Sequence, residues 1–231
     1  MKLLILAGGY GTRLRSVVNK LPKALAPIND VPFLFYQIKN WKKQGIIDFV
    51  FLLHFEAKLI IDFLDSHRFG ILKNCNVNYI IEPDALGTGG AIQYCINQLS
   101  LKDDFLVTNA DTWLGSGLKK LINKNSPALL IVEVEDSQRY GTVHLVNDKV
   151  VKFEEKTNKK SKGLINAGLS LLKPEYFDLD LTYPYSLEKV IYPNLVKANI
   201  LQGVIVTTNF IDIGIPEDYF KFIKMFKSDE I

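Results

Sequence analysis

Short apolar runs and amphipathic stretches alternate along the first half of the chain. Runs such as Lys2–Ala7 and Asp48–His54 are almost wholly apolar and stop at glycine or at a polar residue, which is typical of buried strands. Stretches such as Pro32–Gln44 place apolar residues three and four positions apart, with lysine and glutamine between them, and this spacing predicts helices. This alternation of strands and helices predicts a mostly parallel sheet with helices on both faces.

After Pro127 the pattern changes to strands joined by short polar turns, with Asn147-Asp148 as a hairpin signal. A helical pattern returns at Ser186–Ala198 and at Pro216–Phe226, where proline occupies the first turn. The predicted fold class is α/β: a Rossmann-like, mostly parallel but mixed sheet flanked by helices, with a β-rich insertion. We expect a single domain over residues 1–231, with halves at 1–126 and 127–231.

Composition narrows the classes of protein that fit this pattern. The 231 residues are 48% apolar and 23% charged, which is ordinary for a globular protein. A net charge of +3 argues against a nucleic-acid coat or a membrane-surface protein. The longest apolar runs are far shorter than the roughly 20 residues of a spanning helix. The two cysteines, Cys75 and Cys95, form neither a metal-ligand pattern nor a disulfide framework, so we expect a reducing, cytoplasmic setting.

The first strand runs into a glycine-rich segment, Leu6-Ala-Gly-Gly-Tyr-Gly-Thr-Arg-Leu14. Glycine lets backbone N–H groups approach a phosphate closely, and residues 1–29 carry five cations and no acid. A dinucleotide-binding turn would need a third glycine where Leu14 stands, and a P-loop would need Gly-Lys-Ser/Thr. The glycines alone would also fit an ordinary tight turn, but Arg13 and the later Pro22-Lys23 favour phosphate binding.

The two segments together resemble the signature of the sugar-1-phosphate nucleotidyltransferase family. That signature is Gly-Gly-x-Gly-Thr-Arg-Leu, followed after a spacer by Pro-Lys-x-Leu-x-Pro, and this chain has Leu21-Pro-Lys-Ala-Leu-Ala-Pro-Ile28 at the second place. Within the family, the sequences of these motifs are most similar to those of bacterial D-glycero-D-manno-heptose 1-phosphate guanylyltransferases. Further matches extend over nearly the whole chain: Leu86-Gly-Thr-Gly-Gly-Ala-Ile92, Asp111, Glu154-Glu-Lys156, Asn166-Ala-Gly168 and Asp212-Ile-Gly214.

The resemblance implies transfer of a nucleotidyl group from a nucleoside triphosphate to a sugar 1-phosphate. Such a reaction needs positioning and charge stabilisation rather than a side-chain nucleophile. Arg13 would bind the departing phosphates, Lys23 the α-phosphate, and both are the expected catalytic residues. Mg²⁺ is the expected cofactor, held by Asp111 and Asp212. The expected nucleotide contacts are Leu6, Ala7, Gly8, Gly9, Gly11, Thr12, Arg13, Lys23, Glu82, Gly87, Thr88 and Asp111.

The second half, by the same resemblance, would bind the sugar phosphate, and the first half the nucleotide. Lys156 would hold the phosphate, while Glu155, Asn166 and Gly168 would contact the sugar hydroxyls. Glu154 could replace Glu155 in this role, and the spacing does not choose between them. The three histidines, His54, His67 and His144, fit no motif position and are expected to be structural or surface residues.

Glu82 is the residue that favours guanine as the base. Guanine presents two donors on one edge, and a carboxylate can accept both in a bidentate, charge-assisted pair. Uracil presents one donor between two carbonyls, which a carboxylate would repel. The alternative is that Glu82 only caps the loop that follows it.

Three other functions remain open from the sequence. They are a uridylyl- or cytidylyltransferase for another sugar 1-phosphate, a nucleotide-binding relative without catalysis, and a nicotinamide-dependent dehydrogenase. The expected partners are a nucleoside triphosphate, with GTP favoured, and a sugar 1-phosphate, with no nucleic acid and no membrane. A homodimer is one option for the assembly.

Overall fold

The computed structural model describes residues 1–18, 21–154 and 160–227. The strands within these ranges are β1 Lys2–Leu6, β2 Pro27–Ile28, β3 Val31–Pro32, β4 Asp48–Leu53, β5 Asn76–Ile81, β6 Phe105–Asn109, β7 Thr112–Leu114, β8 Ala128–Val134, β9 Thr142–Val146, β10 Lys149–Glu154, β11 Gly163–Leu172, β12 Gln202–Ile205 and β13 Phe210–Asp212. The α-helices are α1 Phe33–Lys43, α2 Ala57–Ser66, α3 Gly87–Leu99, α4 Leu118–Ile122, α5 Tyr192–Lys197 and α6 Pro216–Lys227.

Nine strands form one mixed sheet in the order β5-β4-β1-β6-β11-β8-β12-β10-β9. The four strands β5, β4, β1 and β6 are parallel, as the alternation of strand and helix predicts. Strand β11 lies antiparallel to both β6 and β8, and so joins the parallel region to the β-rich second half. The expected mixed α/β sheet is confirmed, and the β-rich strands continue the same sheet.

Both faces of the sheet are covered, and β1 shows why its sequence is continuously apolar. Leu3 and Ile5 face one core, which α1, α2 and α4 cover, while Leu4 faces a second core under α3 and α5. All three side chains are fully buried. A strand buried on both faces has no position for a polar side chain, hence the unbroken run.

A third cluster of buried side chains lies beneath the last helix. Phe33, Tyr36, Trp113 and Phe222 form its aromatic centre, with ring centroids 4.8 to 6.3 Å from Phe222. The cluster supports a two-stranded ribbon in which β13 pairs antiparallel with β7. The sequence pattern did not predict β7, because three residues are too few to display alternation.

The predicted helix Ser186–Ala198 differs in its first part. Residues Leu187–Ile191 form a π-helical turn, and the α-helix begins only at Tyr192. The Ser186 side chain caps the turn by accepting hydrogen bonds from the backbone N–H groups of Glu188 and Lys189.

No helix in the described part of the chain is long and apolar enough to cross a bilayer.

Candidate active site

The glycine loop follows β1, and two of its glycines are required by their neighbours. A Cβ at Gly8 would lie 2.8 Å from Glu82 Oε1 and 3.1 Å from His54 Cβ. Gly11 has a left-handed backbone (φ +64°), and a Cβ there would lie 2.8 Å from Lys23 Cγ. The loop therefore packs directly on Glu82 and Lys23, two of the predicted site residues.

A cavity of about 340 Å³ opens beside this loop, at the carboxyl ends of the parallel strands. This is the usual place for a ligand in an open α/β sheet. A smaller recess of about 60 Å³ lies next to it and includes Ala7 and Lys23. Thr12 and Arg13 are exposed on the turn that follows the loop. The larger cavity is lined by Leu6, Gly8, Gly9, Tyr10, His54, Glu82, Ala85, Gly87, Thr88, Ala91, Asn109, Asp111 and Glu188.

Glu82 lies in this cavity with only 7% of its surface exposed. Its Oε2 accepts the backbone N–H of Leu86 at 3.1 Å, so the loop-cap contact exists. Its Oε1 faces Gly8. Burial raises the pKa of Glu82, and the Leu86 hydrogen bond and His54 oppose that shift. Capping and lining the cavity are thus compatible, because the two oxygens face different neighbours.

The Gly87-Thr88-Gly89-Gly90 motif is closed by residues 185–188. The Tyr185 carbonyl accepts the N–H groups of Gly89 and Gly90 at 3.0 and 3.3 Å. A Cβ at Gly87 would lie 2.5 Å from the Tyr185 oxygen, so glycine there allows two chain segments to meet. Thr88 Oγ1 donates to Glu188 Oε2 at 2.9 Å. Glu188, to which no motif pointed, places a third carboxylate in the cavity beside those of Glu82 and Asp111.

Asp111 and Asp212 come together through the β7–β13 ribbon. Asp212 lies opposite Thr112 in the ribbon, and the Ile213 N–H donates to the Asp111 carbonyl at 2.9 Å. Burial raises the pKa of Asp212, and the nearby charge of Asp111 raises it further. The two carboxylates that the motifs singled out, a hundred residues apart in the chain, therefore form a repelling pair.

Two cations lie beside this acidic pair. Lys23 Nζ donates to Asp111 Oδ2 at 2.9 Å. Arg139, which the sequence analysis did not identify, forms an ion pair with Asp218 of α6 and donates to the Tyr140 hydroxyl at 2.7 Å. The positive charge of Arg139 partly opposes the rise in the pKa of Asp212. Arg139 lies in a turn without a motif, and only the tertiary fold brings it near the carboxylates.

The predicted sugar contacts have partners within the protein. Asn166 Oδ1 accepts the Gly168 N–H at 2.8 Å, where the pairing of β11 with β8 shifts register. Gly168 has a left-handed backbone (φ +73°), and a Cβ there would lie 2.9 Å from Asn109 Nδ2. Asn109 lines the cavity and was not predicted. Gly168 thus allows Asn109 to approach the bulge.

The acidic residues before Lys156, the lysine expected to hold the sugar phosphate, are only partly described. Glu155 and Lys156 lie outside the described residues. Glu154 pairs with Lys152 and accepts from His144 Nε2 at 3.1 Å, and these partners lower its pKa to about 2. Glu154 is therefore engaged on the outer strands of the sheet.

The structure places the three histidines in different surroundings. His54 was expected to be structural or at the surface, but it lines the cavity beside Glu82. His67 packs against Phe63 at a centroid distance of 4.3 Å, and His144 is exposed on β9, as expected for these two. His54 escaped the motif analysis because it lies just past the end of β4, a position whose side chain only the folded loop directs into the cavity.

The described residues contain no group of three or more His, Cys, Asp or Glu side chains that could hold a metal by itself. The arrangement offers instead a glycine loop and Asp111 at the cavity, with Asp212 and two cations beside Asp111. That combination suits a charged, phosphate-bearing ligand that would complete the coordination of a divalent ion.

Comparison with known proteins gives the class of enzyme that this site defines. The nucleotidyl transferase family model matches residues 2–228, and the chain belongs to that family. It is 38% identical over 226 residues to D-glycero-alpha-D-manno-heptose 1-phosphate guanylyltransferase of Campylobacter jejuni subsp. jejuni, covering 96% of this chain and 99% of that protein. The enzyme of the same name from Aneurinibacillus thermoaerophilus is 34% identical, covering 96% of each chain.

A solved structure agrees with these relatives. The crystal structure of HddC from Yersinia pseudotuberculosis superposes with a TM-score of 0.84 at 33% identity, covering 97% of this chain and 99% of HddC. The same protein has also been solved in complex with GMP-PN, and that structure superposes with a TM-score of 0.83. Fold and family are thus the ones that the glycine and Pro-Lys motifs implied.

Proposed function

We propose that this chain transfers a guanylyl group from GTP to D-glycero-D-manno-heptose 1-phosphate, giving GDP-heptose and pyrophosphate. The observation that carries the choice of base is Glu82, a buried carboxylate in the cavity, facing the glycine loop. Such a group suits the two donors on the guanine edge. The choice of sugar is supported by the activity named for the bacterial relatives, which this chain matches over 99% and 96% of their lengths.

The reaction joins two anions, so the chain has to position them and offset their charge. An oxygen of the sugar phosphate attacks the α-phosphorus, and pyrophosphate leaves on the opposite side. Lys23 would move its ammonium from Asp111 to the nucleotide phosphates when GTP binds, since the two lie at the same recess. Arg13, exposed beside the loop, would bind the departing pyrophosphate.

Mg²⁺ is the proposed cofactor, with Asp111 and Asp212 as its protein ligands. The pair fits a hard divalent cation. Burial and the repulsion from Asp111 disfavour the negative charge of Asp212 and so raise its pKa, and a bound cation would stabilise that charge. When bound, Mg²⁺ would neutralise the negative charge of the phosphate groups. Lys23 and Arg139 supply part of that compensation from the chain itself.

The sugar phosphate would bind next to this carboxylate pair, on the side of the second half. Lys156 would hold its phosphate, while Glu155, Asn166 and Gly168 would meet its hydroxyls. Asn109 extends this set, because its amide lies against Gly168. We retain the division into a nucleotide half, 1–126, and a sugar-phosphate half, 127–231, within one domain, although Glu188 from the second half enters the cavity.

The proposal includes a cytoplasmic location, since both cysteines are free and Cys95 is buried. It also includes a role in building surface polysaccharide, where heptose donors are used, and a homodimeric assembly as an option to be measured by light scattering.

The test is turnover across a grid of four nucleoside triphosphates and three sugar 1-phosphates: heptose, mannose and glucose. Pyrophosphate release gives the rate, and mass spectrometry identifies the nucleotide sugar. We expect GTP with heptose 1-phosphate to give the highest kcat/KM, and EDTA to abolish it. A preference for UTP or CTP would contradict the choice of base, and a preference for mannose 1-phosphate would contradict the choice of sugar.

A further inference from the structure

Tyr10 stands between Gly9 and Gly11 in the glycine loop and lines the cavity with about half of its surface exposed. Its hydroxyl lies 3.2 Å from His54 Nε2, and its ring meets the His54 ring edge-on at 5.8 Å. A side chain in the loop that would bind phosphates therefore contacts a residue just beyond β4, on the wall that holds Glu82.

His54 continues the contact to Glu82. Its Nδ1 lies 3.4 Å from the Glu82 carbonyl oxygen, which can only accept a hydrogen bond. Nδ1 must then carry the proton, and Nε2 of the neutral ring is left to accept the Tyr10 hydroxyl. One tautomer satisfies both contacts, so Tyr10, His54 and Glu82 form a connected series.

Phe55 also contacts the loop at this point: its N–H donates to the Gly8 carbonyl at 3.4 Å, and its ring centroid lies 5.4 Å from that of Tyr10. A Cβ at Gly9 would meet no atom within 4 Å, and Gly11 adopts a left-handed conformation that glycine allows. Arg15 donates to the Tyr10 carbonyl at 3.4 Å while its guanidinium lies 5.4 Å from the Phe55 ring. Glycines on both sides of Tyr10 make the loop costly to order, and a side-chain anchor in the free protein reduces the cost that ligand binding would otherwise incur.

We propose that Tyr10 and His54 form a latch, a pair of positioning residues that holds the glycine loop against the Glu82 wall in the geometry that receives the nucleotide. The inference rests on the proposed function, because it takes the cavity to be the nucleotide site. Through the latch, the loop that would bind the phosphates and the carboxylate that would bind the base are set at a fixed separation before the nucleotide arrives.

The test is a double-mutant cycle with Y10F and H54F, which keep an aromatic ring at each position and remove the hydrogen bond between them. Each variant should raise the KM and the calorimetric Kd for GTP roughly threefold to tenfold, the effect of one hydrogen bond. The kcat and the KM for the sugar phosphate should stay within about twofold, and the melting temperature without ligand should not change. Because both changes remove the same contact, Y10F/H54F should bind GTP no more weakly than H54F alone.

Y79F serves as the matched control, because it removes a tyrosine hydroxyl from the edge strand β5, outside the residues that line the cavity. Effects that multiply in the double variant, a wild-type Kd in Y10F, or an equal rise in the KM for both substrates would overturn the latch. If the wild type instead binds another triphosphate, the choice of base fails, and the cycle is run with that nucleotide, for which the latch predicts the same losses. A wild type that binds none of the four nucleotides would refute both proposals.

Discussion

Replacing Glu82 with glutamine tests base recognition in a way that the structure makes specific. In the wild type, Oε2 accepts the Leu86 N–H at 3.1 Å and Oε1 faces Gly8. The amide of E82Q has a single oxygen, and the Leu86 N–H would attract it. The amide NH₂ would then point towards Gly8 and into the cavity, so that a donor faces the guanine donors.

The expected loss follows from that orientation. Leaving a buried donor without an acceptor costs about 1–3 kcal/mol, which is roughly a tenfold to hundredfold decrease in kcat/KM for GTP. The same amide could pair with the imino group and one carbonyl of uracil, so the kcat/KM for UTP should hold or rise. The ratio of the two values, measured at a fixed concentration of sugar phosphate, is the quantity to report.

Stability and pH distinguish this effect from misfolding. Burial raises the pKa of Glu82, so the ionised side chain destabilises the folded protein at pH values above the ordinary glutamate pKa. E82Q without ligand should therefore melt no lower than wild type at neutral pH. In the wild type, use of GTP should fall as the pH drops through the raised pKa, because protonation removes one acceptor, and E82Q should not show this decline.

D84N is the control for E82Q, because it removes an exposed carboxylate two residues away while keeping the side-chain shape. We expect D84N to keep the wild-type ratio of GTP to UTP use. An unchanged ratio in E82Q, with GTP still preferred, would refute the reasoning and leave Glu82 as a loop cap only.

Three further predictions concern the phosphate and sugar sides of the site. D212N should lower turnover about a thousandfold or more. Without ligand at neutral pH it should melt no lower than wild type, because the raised pKa of Asp212 means that its negative charge destabilises the folded protein. Near-normal turnover at saturating Mg²⁺ would remove Asp212 from the metal site. K23A should act mainly on kcat and K156A mainly on the KM of the sugar phosphate; if both raise only the KM of the nucleotide, the assignment of Lys156 is wrong. G168A should lower the free energy of unfolding by about 1–2 kcal/mol in denaturant titrations, because residue 168 has a left-handed backbone and lies close to the Asn109 amide. The matched change G9A has open space around it and should have little effect. Equal stabilities of the two variants would contradict this prediction.

Strands β1, β4 and β6 were predictable because each is buried on both faces. Strand β1 was expected at Lys2–Ala7 and lies at Lys2–Leu6, since the apolar run itself reports its burial. Strand β7 and the π-helical turn at Leu187–Ile191 were not predicted, because neither has a periodic sequence pattern of its own. Their form depends on pairing and packing with residues far away in the chain.

The site divides in the same way. Asp111 was predicted from the family resemblance and Glu82 from its fit to guanine, and both line the cavity. His54, Glu188 and Arg139 were missed, because each reaches the site through a contact that only the folded chain makes. Residues in motifs can be assigned from sequence, whereas the side chains that orient them depend on the tertiary fold.

The β7–β13 ribbon has a consequence for the order of events during protein synthesis. Strand β1 is made first, but Asp111 meets its partner carboxylate only when residues 210–214 have left the ribosome. A nascent chain that has completed the parallel strands therefore still lacks one of the two carboxylates proposed to hold the metal. If that proposal is right, tight binding of a metal–nucleotide complex, and any stabilisation that it brings, requires that residues 210–214 have been translated.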